Sequence, residues 1–284
     1  MPEYNTVFYA IFLSQVLLIS VYVPRKILSR LRHVIEKYPP STYPKLYPVP
    51  VDVVEKGLRT YRIMNLPVLL IGLLLALVGV FSPSEEMLRW DSQSVLTFYF
   101  FLQVCPLFLV ERSGFKYFRL MRKANSRTTR KAELHPRRLF DFVSPTLVSM
   151  AIFSYIVVML LVLYVIRHPF PGFAGPINIV MITALNLLFA GAVIRFLSGK
   201  KGNPHQAHAD RLKGIAIAVK MMVLTSIAVN VFLTIVFVLP ALGLRNLGDL
   251  FQMLFFQLCV VIGSQALRID NIDFEVYKED SLVA

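Results

Sequence analysis

Residues 146–166 read TLVSMAIFSYIVVMLLVLYVI, an uninterrupted stretch of 21 residues without Asp, Glu, Lys, Arg or His. At a rise of about 1.5 Å per residue, a helix of this length spans about 31 Å, which matches the hydrocarbon thickness of a bilayer. Six further apolar blocks of similar character occur along the chain. We therefore predict seven membrane-spanning helices, at approximately 7–23, 64–81, 94–110, 146–166, 177–194, 221–242 and 250–267.

The overall composition agrees with this assignment. Of the 284 residues, 56% are hydrophobic and only 17% are charged. The apolar content excludes a disordered chain, and the small charged fraction excludes an ordinary soluble domain. We predict an all-α, polytopic integral membrane protein, in which residues 1–284 form one transmembrane domain of seven helices in a single bundle.

The number of spans depends on the third block, which is the shortest. The block 95–110 contains only 16 residues, so a crossing needs residues 92–94 as well, and six spans is an alternative. The distribution of basic residues favours seven. A model without the third span would place the ten bases of segment 111–145 outside the cell, against the positive-inside rule.

The same rule gives an orientation. The segments 24–63, 111–145 and 195–213 and the tail after residue 267 hold 26 of the 30 Lys and Arg residues, whereas the alternate connections hold only Arg89, Arg167 and Arg245. We predict that the N-terminus is outside and that the C-terminus is cytoplasmic. The residues 268–284 then form an acidic cytoplasmic tail, which we expect to dock on the basic segments.

The basic segments 24–63 and 111–145 contain helical patterns of their own. Ile27, Leu28 and Leu31 repeat at helical spacing and predict an amphipathic helix that lies along the lipid headgroups. In the second segment, aromatic residues alternate with bases, which predicts that the third helix continues into a second cationic surface helix. Before the sixth span, Asn203 and Pro204 are predicted to be the cap and the first residue of a helix that begins in the cytoplasm.

These cationic segments are the predicted sites for anion or lipid-headgroup contacts. They either fix the orientation and touch anionic membrane lipids, or bind a specific anion such as a lipid phosphate, a nucleotide or an acidic partner. Nucleic acid is not expected, because topology accounts for the charge and no nucleic-acid-binding motif accompanies it. The residues assigned to these contacts are Arg25, Lys26, Arg30, Arg112, Lys116, Arg119, Arg122 and Lys123.

Five carboxamide side chains form a predicted polar layer near the middle of the spans. An amide that faces hydrocarbon loses its hydrogen bonds to water, so these side chains should turn inward and pair with each other or with the backbone. They either hold helices together or line a midplane cavity for a polar or amphipathic ligand. The five residues are Gln15, Gln103, Asn186, Asn230 and Gln257.

The sequence assigns no catalytic residue, metal site or cofactor, because neither an H-E-x-x-H motif, nor a serine-nucleophile motif, nor a Gly-rich phosphate loop is present. We expect a transporter, a channel-like protein or an accessory protein that presents a cationic cytoplasmic face to an anionic lipid, solute or partner. The alternatives are a membrane-embedded enzyme for a lipid-like substrate with an anionic cosubstrate, and a structural subunit of a larger membrane complex. Small residues such as Gly72, Gly79 and Gly191 allow close helix contact and leave room for a homo-oligomer or an intramembrane protein partner.

Overall fold

The computed structural model describes residues 2–81, 92–124, 137–199, 203–264 and 272–278, and the regular elements in these ranges are all helical. The all-helical prediction is therefore confirmed for the described part of the chain. Short 3-10 helices occur at Pro44–Leu46, Leu139–Asp141, Arg245–Leu247 and Glu275–Tyr277. The α-helices, numbered in chain order, are α1 (Pro2–Leu17), α2 (Val23–Lys37), α3 (Val51–Phe81), α4 (Ser92–Ala124), α5 (Pro145–Arg167), α6 (Ile177–Ser198), α7 (His208–Val238) and α8 (Gly248–Ser264).

Seven helical stretches among the described residues are long and apolar enough to span a membrane, as predicted. The helices α1 and α2 count as one of them, because a π-helical turn at Leu18–Tyr22 joins them without a break. The turn comes just before Pro24, which has no N–H to donate and whose ring would clash with the carbonyl of Ser20 in a regular α-helix. The wider π turn accommodates the proline while the helix continues.

Two predicted boundaries are wrong. The sixth span was expected to reach residue 242, but α7 ends at Val238, because Pro240 disfavours helical backbone just before it. The same helix begins at His208 and not at Pro204, since the Asn203 side chain accepts the His205 N–H at 3.0 Å in a local turn before the helix. The residues 265–267 of the predicted last span lie outside the described residues.

The helices pack in two groups. The first group contains α1, α3, α4 and α8, and its core includes Phe12, Val68, Tyr99 and Met253. The second group contains α5, α6 and α7. The groups meet where α7 contacts α8, with the ring of Phe232 stacked at 4.4 Å on that of a phenylalanine in α8. The last helix therefore packs with the first helices of the chain.

The helix α2 is placed differently from the prediction. Ile27 and Leu28 are buried against Tyr61 of α3, and Leu31 and Leu58 pack around them. The expectation that this apolar stripe rests on lipid headgroups is wrong, because the stripe packs against protein. The physical cause is the unbroken connection with α1, which carries α2 onward beside α3 and does not turn it along a surface.

The described connections lie at two ends of the molecule. At one end, Tyr43, Met121, Phe274 and Tyr277 form a buried cluster, so the loop after α2, the end of α4 and the segment 272–278 meet there. At the other end, Phe173 from the connection between α5 and α6 contacts Phe237 at a ring distance of 5.7 Å. We call the first of these the basic end, because the Lys- and Arg-rich ends of α2 and α4 meet there.

Candidate functional site at the basic end

The predicted midplane amides of the first group form a buried network. Gln15 of α1 donates from Nε2 to Gln103 Oε1 of α4 at 2.9 Å, and Gln103 donates in turn to Ser20 Oγ at 3.2 Å. All three side chains are at most 5% exposed. The hydroxyl of Tyr99 donates to the Val68 carbonyl of α3 at 3.1 Å. These contacts connect α1, the π turn, α3 and α4.

A second network lies in the other group of helices. Asn186 of α6 and Asn230 of α7 exchange amide hydrogen bonds of 2.9 and 3.1 Å. Ser226 donates to Asn186 Oδ1 at 2.8 Å, and Asn230 donates to Ser154 Oγ of α5 at 3.2 Å. One reciprocal amide pair with two serines thus joins all three helices of this group.

The fifth amide, Gln257 of α8, is separate from both pairs. It donates to the Ile11 carbonyl of α1 at 3.2 Å and accepts from Ser14 Oγ at 3.2 Å. The five predicted amides therefore form three separate contacts between helices. Each such contact in an apolar environment stabilises the bundle by about 1 kcal/mol. The serines that complete the contacts were missed, although a serine within an apolar span is a signal for such a role.

Four cations of α4 share one face of the helix. Arg112, Lys116, Arg119 and Lys123 follow a spacing of four, three and four residues, and all four are exposed. Residues at this spacing lie one above another on a helix. On the opposite side of α4, Met121 is buried at the basic end. We call these four residues the cationic stripe; Arg122 is exposed beside it.

The predicted cations of α2 have different environments. Arg25 is exposed, and Lys26 is half-buried with its Nζ 5.7 Å from the centre of the Tyr22 ring. Arg30 is half-buried, and its Nη1 is buried without a hydrogen-bond acceptor among the described residues. A buried donor without a partner is costly, so an anionic oxygen placed next to Arg30 would be stabilised.

A cleft of about 930 Å³ lies between the second half of α2 and the first half of α3. No charged residue that lines it belongs to the predicted headgroup set. The cleft was missed because it exists only when α2 and α3 pack side by side; the signal in the sequence is a base and an acid four residues apart on each helix. Its lining residues are Arg32, Ile35, Glu36, Asp52, Glu55, Lys56, Leu58, Arg59, Thr60, Arg62 and Ile63.

The charged residues of the cleft make no ion pair in the described part of the chain. Arg32, Arg59 and Arg62 provide guanidinium groups. The carboxylates come from Glu36, Asp52 and Glu55. The cleft therefore offers strong donors and strong acceptors to one ligand. Among the same described residues, no three His, Cys, Asp or Glu side chains are grouped so as to hold a metal ion.

The segment 272–278 docks on the basic end mainly through aromatic contacts. Phe274 stacks on Tyr38 at a ring distance of 3.9 Å, and Asn203 donates to the Tyr277 hydroxyl at 2.6 Å. The Asp273 N–H donates to Asp210 Oδ2 at 2.7 Å. The tail thus contacts the loop that follows α2, as well as α7, with stacking and hydrogen bonds in place of the expected pairing between acids and bases.

Within this segment, one ion pair accompanies the aromatic contacts. Lys278 Nζ lies 2.6 Å from Glu275 Oε2, and Tyr43 donates to Glu275 Oε1 at 3.2 Å. The hydrogen bond from the Lys278 ammonium lowers the pKa of Glu275 below its usual value. The same contact raises the pKa of Lys278.

Comparison of the chain with protein-family models, with curated proteins and with solved structures finds no match. The functional conclusion therefore rests on the geometry of the basic end.

Proposed function

We propose that this chain is an integral membrane protein that binds anionic lipid headgroups through its basic end. Membrane insertion is supported by the apolar exterior of the helices: Phe98, Leu160 and Leu187 are 62 to 74% exposed on α4, α5 and α6. Contiguous apolar surface of this kind is unfavourable in water and needs no covering in lipid. The positive-inside rule then places the basic end in the cytoplasm and the N-terminus outside.

The lengths of the helices explain how the cations reach the headgroups. The helices α3 and α7 contain 31 residues each and α4 contains 33, so they are about 47 to 50 Å long. The hydrocarbon core is only about 30 Å thick. The charged parts of α3 and α4 therefore extend beyond it at the cytoplasmic side.

The observation that carries the proposal is the exposed cationic stripe on α4. Arg112 lies just after the apolar run of this helix, and Lys123 lies about 16 Å further along the axis. Basic residues near an anionic surface contribute about 1 kcal/mol each, and the attraction decays within a Debye length of about 10 Å. The half-buried Arg30 adds a guanidinium nitrogen that has no hydrogen-bond acceptor among the described residues.

Of the three non-enzymatic classes expected from the sequence, we favour an accessory protein over a transporter or a channel-like protein. The support is that all five midplane amides hydrogen-bond with protein groups. Most of their hydrogen bonds join helices and stabilise the bundle, although Gln15 Oε1 is buried without a partner among the described residues.

The experiment compares two pairs of substitutions on the same face of α4. The inner pair is Arg112→Gln with Lys116→Gln, and the matched outer pair is Arg119→Gln with Lys123→Gln. Each protein is reconstituted in nanodiscs that contain phosphatidylglycerol, and retained lipid is counted by native mass spectrometry. The inner pair should lower affinity for phosphatidylglycerol by about 30-fold, and the outer pair, about 10 Å further from the membrane, by only about threefold.

Three results would overturn this function. Equal or larger losses for the outer pair would indicate an acidic protein partner that contacts the distal surface. A tightly retained protein without lipid would favour a structural subunit. A phospholipid recovered with a changed mass would indicate turnover by an enzyme.

A further inference from the structure

We infer that the cleft between α2 and α3 binds the headgroup of a zwitterionic phospholipid with a primary ammonium group, the chemistry of phosphatidylethanolamine. The inference rests on the proposed placement of the basic end at the membrane surface. It concerns residues other than the cationic stripe and a lipid class other than the anionic one.

The order of charges along both helices matches such a headgroup. The helix α2 runs away from the membrane and places Glu36 one turn beyond Arg32. The helix α3 returns towards the membrane and places Glu55 one turn before Arg59. On each helix an arginine is nearer the membrane and a glutamate lies about 6 Å further out; Lys56, which also lines the cleft, lies between Glu55 and Arg59 along α3. In a phospholipid the phosphate is likewise attached next to the glycerol, and the amine lies beyond it.

The arginines of the cleft suit the phosphate of this headgroup, and the glutamates suit its ammonium group. The guanidinium groups of Arg32, Arg59 and Arg62 can bind phosphate oxygens with two parallel hydrogen bonds each. The carboxylates of Glu36 and Glu55 can accept hydrogen bonds from a primary ammonium. No ion pair occupies these groups within the described residues, so they are available to a ligand.

The surface below the cleft provides a path for acyl chains. Ile63 lines the cleft and is 59% exposed, and Leu66, Leu70 and Leu74 continue from it with 56 to 59% exposure. Their spacing of three, four and four residues places them on one face of α3, and Arg59 precedes Ile63 by one turn on that face. A headgroup in the cleft therefore continues directly into an apolar track, which favours an intact lipid over a soluble headgroup.

The residues that line the cleft also indicate which lipid headgroup it should prefer. A choline headgroup carries no N–H and is typically recognised by aromatic side chains, and none of the residues that line the cleft is aromatic. Phosphatidylglycerol has no cation for Glu36 and Glu55. The cleft should therefore prefer phosphatidylethanolamine to both.

The test measures lipid retention by native mass spectrometry after the purified protein is titrated with phosphatidylethanolamine, phosphatidylcholine or phosphatidylglycerol. Glu55→Gln and Arg59→Gln should each lower phosphatidylethanolamine binding by about tenfold or more, because each removes a charge-assisted hydrogen bond. Glu36→Gln on the opposite helix should have the same effect. The matched controls Glu111→Gln on α4 and Arg195→Gln on α6, at exposed positions outside the cleft and the cationic stripe, should leave it unchanged.

The same data separate this inference from the proposed function. The cleft variant Glu55→Gln should leave phosphatidylglycerol binding intact, whereas the inner-pair variant of α4 should reduce it and spare phosphatidylethanolamine. Equal retention of phosphatidylcholine, or unchanged phosphatidylethanolamine binding in correctly folded Glu36→Gln and Arg59→Gln proteins, would overturn the inference. Soluble glycerophosphoethanolamine should compete only weakly; competition as strong as that of the lipid would show that the site takes a free headgroup.

Discussion

Gly72 on α3 is a position where one added methyl group should disturb the packing of the first group of helices. A Cβ at Gly72 would lie 2.6 Å from Tyr99 Cζ of α4, closer still to the Tyr99 hydroxyl, and 3.0 Å from Val16 Cγ2 of α1. The ring of Tyr99 has little freedom to move, because it is 2% exposed and its hydroxyl donates to the Val68 carbonyl. The substitution Gly72→Ala must therefore separate α3 from α4.

The expected size of the effect follows from two opposing contributions. Overpacking of a well-filled core costs about 1 to 3 kcal/mol, and contact with two ring atoms places Gly72→Ala near the upper value. Alanine in place of glycine stabilises the helix itself by about 1 kcal/mol. The net loss is about 2 kcal/mol, which corresponds to a decrease in Tm of about 4 to 8 °C.

The assay is thermal unfolding of the purified protein in detergent, followed by intrinsic fluorescence and size-exclusion chromatography. Gly191→Ala on α6 is the matched control, because nothing lies within 4 Å of a Cβ at Gly191 and only the helix-stabilising effect remains. Tyr99→Phe combined with Gly72→Ala should recover part of the loss, since it removes the nearest atom. A Tm for Gly72→Ala equal to or above that of Gly191→Ala would refute the packing of α3 against α4.

Three further predictions concern the polar and aromatic contacts. Asn186→Leu should lower the unfolding free energy by about 1 kcal/mol, and a double-mutant cycle with Asn230→Leu should show coupling between the two positions; additive losses would contradict the reciprocal amide pair. Phe274→Ala should increase proteolysis of the tail about a hundredfold, because loss of a buried ring costs roughly 3 kcal/mol; an unchanged cleavage rate would show that the stacking does not hold the tail. Hydrogen bonds from Lys278 of the same segment and from Tyr43 of the loop after α2 lower the pKa of Glu275 below its usual 4.5. Because the Tyr43 bond forms only when the segment docks, Glu275 should favour docking above that pH and lose its effect as the pH falls through the lowered pKa. Hydrogen exchange in residues 272–278 should therefore differ between wild type and Glu275→Gln at neutral pH and become equal in acid.

The number and positions of the long apolar helices could be predicted because hydropathy is a local property. Most residues of 146–166 favour an apolar environment whatever the rest of the chain does, and α5 is found at Pro145–Arg167. The boundary errors at Pro204 and residue 242 have local causes as well, a side-chain turn at Asn203 and the proline after α7. Local turns and prolines of this kind compete with the hydropathy pattern and shift the ends of helices by a few residues.

The candidate sites were predictable only in part. The amide residues were recognisable, since an isolated Gln or Asn in an apolar span needs a partner. Their pairing was not, because Gln15 and Gln103 are 88 residues apart and meet only after α1 and α4 pack. The cleft residues Arg32 and Glu55 gave a weaker signal, since a charged residue outside a span is stable in water without a partner.

The sequence by itself determined where the helices form, how many are long enough to cross a membrane, and which connections carry the positive charge. These properties depend on how each segment interacts with its solvent. The tertiary structure alone decided that α8 packs with α1, that the apolar stripe of α2 packs against α3, and that Phe274 stacks on Tyr38. Those contacts join residues far apart in the chain, and their energies depend on the complementary shapes of surfaces that exist only after the helices have formed.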